Sequence, residues 1–149
     1  MITLKSSLLS ALLMILSFSV YAEDLGTHCW QQQPYNHLFC FAVNKVNEKY
    51  FALIGENIIP NEATYPIDGA GLFDDINNIF RIEFTQNLGE SLFFENTAQI
   101  NKETLSGTWR DDGGNQGDFQ YLGVGPLSSE KIQDLATRST KRKTIFIKP

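Results

Sequence analysis

The chain has 149 residues, of which 42% are hydrophobic and 12% aromatic, with a formal net charge of −5. That length supports one ordinary domain and no more. The excess of acids speaks against a nucleic-acid partner, because phosphate binding needs a basic face. The charge is also unevenly placed: residues 23–122 carry fifteen acids against five bases, and residues 123–149 carry two acids against six bases.

Residues 1–22 read as a cleaved signal peptide. Lys5 supplies the positive start, an apolar stretch runs from Leu8 to Val20, and Val20-Tyr21-Ala22 places small residues where a signal peptidase reads. The apolar stretch is shorter than the roughly 20 residues that span a bilayer. No cysteine stands at the cleavage point, so a lipoprotein anchor is not indicated. The expected mature domain starts at Glu23 and is secreted or periplasmic, with no transmembrane segment. Removing the leader takes Lys5 with it and raises the excess of acids from five to six.

From Glu23 onward, short alternating runs recur at the spacing of an all-β barrel or sandwich. They fall at about 26–32, 37–46, 49–59, 64–73, 78–87, 91–101, 104–111 and 117–124, with ends good to a few residues. In Ile79–Thr85, Phe80, Ile82 and Phe84 fall on one face, and Arg81, Glu83 and Thr85 on the other. Side chains alternate along a strand, so this is a strand buried on one side. Leu105, Gly107 and Trp109 form a second such face, with Gly107 leaving local room, and Phe119 with Tyr121 a third. The links are turn formers, such as Pro34-Tyr35-Asn36, Pro60-Asn61 and Asp112-Gly113-Gly114-Asn115. Links this short force antiparallel neighbours. The expected fold is therefore an eight-stranded antiparallel up-and-down β-barrel over 23–125, whose closure removes exposed edges.

Residues 126–149 change pattern. Ser128-Ser129-Glu130 is a helix start, with Ile132, Leu135 and Ala136 on one face up to about Ser139. Thr144–Ile147 reads as a short terminal strand, and Lys141-Arg142-Lys143 as a solvated basic run.

Cys29 and Cys40 test the first hairpin. If they face each other, Trp30 faces Phe39 and Gln31 faces Leu38, with the loop centred on Pro34-Tyr35. That register brings the pair within disulfide reach, and an oxidising compartment favours the bond. His28 and His37 lie in the same hairpin. In this register they face Phe41 and Gln32, so they do not converge with the cysteines on a metal, and no metal or other cofactor is expected. Asp111–Asp118 imitates a calcium loop, but the spacing fails at the third position, where Gly113 replaces a ligand, and at the sixth, where Gln116 replaces the turn glycine. No Gly-x-Ser-x-Gly elbow or free thiol is present. Asp74-Asp75 and Asp111-Asp112 sit in turns, where aspartates bond their own backbone. No catalytic set emerges, and an enzyme is not expected.

Leu105-Ser106-Gly107-Thr108-Trp109, followed by an acidic-glycine turn and another strand, resembles the Gly-x-Trp strand of lipocalins and avidins. Here it is the seventh strand, whereas those families carry it in the first. The resemblance implies an up-and-down barrel with one small ligand inside. An eight-stranded interior is either filled by side chains or just wide enough for such a ligand. Phe80, Phe84, Trp109, Phe119 and Tyr121 are the candidate lining, with Trp109 as the fluorescent reporter. Two functions follow: a carrier or sensor of a small apolar ligand, or a protein-interaction module, such as a periplasmic inhibitor or a secreted host-directed factor, acting through loops or the outer face.

Overall fold

A computed structural model describes residues 22–89 and 92–145, the side chains of 139–145 excepted. The signal-peptide reading therefore lies outside the described residues, save Ala22. Eight strands follow one another: β1 (Glu23–Gln32), β2 (His37–Lys45), β3 (Tyr50–Ile59), β4 (Ala63–Asp74), β5 (Ile79–Asn87), β6 (Phe93–Asn101), β7 (Gly107–Asp111) and β8 (Gln116–Val124). Each pairs antiparallel with the next, and β8 returns to β1, closing the barrel. The up-and-down barrel expected from the short links is thus the fold.

Turn chemistry explains why the chain reverses where it does. Asn36, Asn61 and Asn78 occupy left-handed backbone with φ of 61°, 66° and 59°, which asparagine tolerates better than most residues. Asp74 accepts backbone N–H bonds from Ile76 and Asn77, each at 3.1 Å, and is held below the usual carboxylate range chiefly by its side-chain bond to Asn77. Asp111 likewise takes Asn115 by both backbone and side-chain nitrogen, at 2.8 and 2.9 Å. These aspartates serve their turns.

The first hairpin has the register that the cysteines demand: Cys29 faces Cys40, Trp30 faces Phe39 and Gln31 faces Leu38. Cys29 and Cys40 are disulfide-bonded, with their Cα atoms 4.1 Å apart. Because the bonded sulfurs point outward, strand parity sends His28, Trp30, Phe39, Phe41 and Val43 inward. The interior is a continuous cluster of Trp30, Phe39, Phe41, Leu53, Ile67, Ile82, Phe84, Ala98, Ile100, Trp109 and Phe119. Outward positions on β4 to β6 include exposed Asp68, Arg81, Glu83, Glu95 and Gln99. That is the opposite of the apolar-out pattern of a lipid-facing barrel. No described helix is long and apolar enough to cross a membrane.

Two expectations need correction. Gly107 leaves no room beside Trp109: a Cβ there would strike the Gln99 carbonyl of β6, so the missing side chain lets two backbones close on each other. The terminal strand is also absent where it can be seen. Thr144 and Ile145 continue α1 (Ser129–Ile145), whereas Phe146 and Ile147 lie outside the described residues. Ser128 caps α1, its Oγ accepting the Lys131 N–H at 3.2 Å. Leu135 is buried, and with Arg138 it borders a cleft whose far side is Gln31 and Gln120 of the outer wall. α1 runs past the expected end at Ser139.

Candidate functional site

The barrel has two unlike ends. The upper end holds the start of β1, the end of β8 and the connections β2–β3, β4–β5 and β6–β7. The lower end holds the other four connections. Between them the barrel is filled. Phe84 meets Phe39 at 5.0 Å and Phe41 at 5.4 Å between ring centroids, and Phe119 stacks on Trp30 at 5.8 Å. These rings form an aromatic floor with no space for a ligand.

Above that floor a cavity of about 180 Å³ opens towards the upper end. Trp30, Leu53 and Ile82 lie at its base, and Val43, Phe51, Phe80 and Ile100 around its walls. Gly71 faces the Phe51 ring with no side chain of its own, the nearest atom to a Cβ there being Phe51 Cβ at 3.3 Å. Leu25, His28 and Leu105 complete the lining near the mouth.

Leu105 is held in an unusual state. Its φ of 56° is a left-handed conformation that costs a bulky residue roughly 1–3 kcal/mol. Two hydrogen bonds fix it there: the Leu105 N–H donates to the Asn101 carbonyl at 2.8 Å, and the Trp30 indole N–H donates to the Leu105 carbonyl at 2.7 Å. Trp30 therefore both floors the cavity and clamps the segment at its mouth.

His28 is the polar member of the lining, and both its nitrogens are engaged. Nε2 lies 2.9 Å from the Leu25 carbonyl, which only accepts, so Nε2 carries the proton. Nδ1 is bonded to the Tyr121 hydroxyl at 2.8 Å. Burial raises the Tyr121 phenol above its ordinary value. The cavity wall is left without a free donor.

The lower end is polar and closed. Gln32 donates to Asn96 at 3.3 Å, Asn96 to Gln86 at 3.4 Å, and Gln86 Nε2 meets His37 Nδ1 at 2.7 Å. Burial holds the His37 imidazole below its ordinary value, against an opposing pull from Glu62. Asn57 is fully buried, and neither atom of its amide has a hydrogen-bond partner among the described residues.

The sequence candidates divide between these regions. Phe80 lines the cavity, and Tyr121 stands behind it through His28. Phe84 and Phe119 belong to the floor. Trp109 lies at the lower end, its indole donating to the Gln33 carbonyl at 2.7 Å and its ring 5.7 Å from Tyr35. It does not border the cavity, whereas Trp30 does. Val43, Phe51, Leu53 and Gly71 were not singled out in the sequence, and His28 and Leu105 were placed on their strands without being named as lining. The disulfide register held the signal for two of them, since outward cysteines on β1 and β2 turn His28 and Val43 inward.

Among the described residues, no group of three or more His, Cys, Asp or Glu side chains is placed to hold a metal. Comparison with protein-family models, curated proteins and solved structures finds no match to this chain.

Proposed function

We propose that this is an exported, non-enzymatic binding protein that takes a small apolar ligand into the upper mouth of its barrel. The observation that carries the reading is the 180 Å³ cavity above the aromatic floor, lined by hydrocarbon and aromatic groups. Dry apolar cavities of about 150 Å³ bind benzene. Ligand sites are concave, mostly apolar and largely preformed, and mouths of β-barrels are a common place for them. The Cys29–Cys40 disulfide and the leader-like residues 1–22 support an oxidising, secreted or periplasmic setting.

The test is a titration with hexanol and cyclohexanol, followed by Trp emission and thermal stability. Binding only to the native state raises stability by about 2.7 kcal/mol when the ligand stands at 100 times its dissociation constant. Val43→Phe, which places a ring in the cavity, should remove that gain while the barrel stays folded. If neither probe stabilises the native protein, the reading falls.

A second reading rests on a separate observation. Ile76, Tyr50, Leu25 and Val46 all stand at the upper end, with exposures of 90, 56, 40 and 39%. An apolar rim around a small pocket also suits a protein partner that inserts one side chain. Ile76→Asp separates the two readings. It leaves a small-molecule titration unchanged if the cavity is the site, and abolishes docking if the rim carries a partner.

A further inference from the structure

We infer that the upper cavity selects a single ring or a short alkyl group of about six to eight carbons, carried by a neutral or cationic head, and does not take fatty-acid anions. This deepens the proposed ligand reading and rests on it.

Size is the first argument. A volume of about 180 Å³ exceeds only slightly the roughly 150 Å³ that accommodates benzene. The space cannot extend downward, because Phe39, Phe41, Phe84 and Phe119 are in ring contact across the barrel and each is 2% exposed or less. A longer chain must leave through the mouth, and its further methylenes stay in water.

Charge is the second argument. The upper rim carries Glu23, Asp24, Glu48, Asp74, Asp75 and Glu103 against Lys45, Lys49 and Lys102. Each base sits beside an acid or over a ring, and the acids outnumber the bases. Lys45 pairs with Glu48 at 2.9 Å, Lys49 with Asp75 at 3.9 Å, and Lys102 lies 5.0 Å from the centre of the Phe73 ring. Inside the mouth, His28 has committed both nitrogens, to Tyr121 and Leu25. A carboxylate head held at this rim meets an excess of negative charge, which an ammonium head finds favourable.

The experiment measures the affinity of the full mature protein for 1-alkanols from four to sixteen carbons, then for octylamine and octanoate at low and high salt. Affinity should rise about three- to fourfold per methylene up to roughly eight carbons, and then level off. Octylamine should bind at least about threefold tighter than octanoate at low ionic strength, with the gap narrowing in salt. Affinity that keeps rising to sixteen carbons overturns the size limit, and octanoate binding as well as octylamine overturns the charge preference. In both cases the apolar-ligand reading survives. If no alkanol of any length binds, that reading falls, and this inference with it.

Discussion

The two ends of the barrel are built from the same alternation and come out opposite. At the upper end the inward positions are Val43, Phe51, Phe80, Ile100 and Leu105, and a cavity remains between them. At the lower end, beside Trp109, they are Gln32, His37, Asn57, Gln86 and Asn96, all buried or half-buried, four of them joined in one hydrogen-bonded chain. Apolar groups that do not meet leave a dry space that costs only lost contacts, so it can persist and accept a guest. Amides that do not meet leave unsatisfied dipoles, so they are driven together. The difference teaches where binding capacity can survive in a small barrel: in the apolar half, above a solid floor.

The largest effect that tests this contrast is at the floor. Phe84→Ala should cost about 3–5 kcal/mol in urea unfolding, because a cavity adds to the lost transfer energy. Phe80→Ala, at a wall that already fronts open space, should cost about half of that or less. Equal losses would mean that the upper half is as solidly packed as the floor.

Next is the staple. Replacing Cys29 and Cys40 together by serine should cost about 3 kcal/mol by the loop-entropy argument, while the β-rich circular dichroism is kept. Alkylation of either thiol in the native protein would contradict the bonded pair.

The lower end gives a smaller, signed effect. Asn57→Leu removes a buried amide without partners and should leave stability unchanged or raise it by about 1 kcal/mol. Asn96→Leu strands Gln32 and Gln86 and should lower it by about 1–3 kcal/mol. Both variants losing stability alike would show that Asn57 is satisfied after all.

The smallest effect is a pH dependence. Burial lowers the His37 pKa in the folded state, so below the ordinary value near 6.5 the unfolded chain binds the extra proton. Stability should therefore fall as pH drops from about 7 to 5, and His37→Gln should flatten that slope. A slope unchanged in His37→Gln would assign it to other groups.

The strands were legible in the sequence because two signals coincide in each: alternation, as in Phe80-Arg81-Ile82-Glu83-Phe84, and asparagine or aspartate at the reversals. The hairpin register was legible because a covalent bond must satisfy it. What parity does not tell is depth. Phe80 and Phe84 share a face, yet one lines a cavity and the other fills the floor, because Phe84 meets Phe39 from across the barrel. Trp109 and Trp30 both point inward, and only their distance along the axis separates the lower end from the upper. Leu105 in left-handed backbone had no local signal, since a leucine gives none; the Trp30 bond that holds it comes from 75 residues away in sequence.

The two tryptophans make the most direct test, because one indole sits at each end. In a ¹⁵N-labelled sample each Nε1–H gives its own resonance, Trp30 bonded to Leu105 and Trp109 to Gln33. Titration with hexanol should move the Trp30 indole signal in a saturable manner and leave the Trp109 signal in place. Movement of Trp109 with Trp30 unchanged, or no movement of either while hexanol is in large excess, would contradict an upper-end binding site.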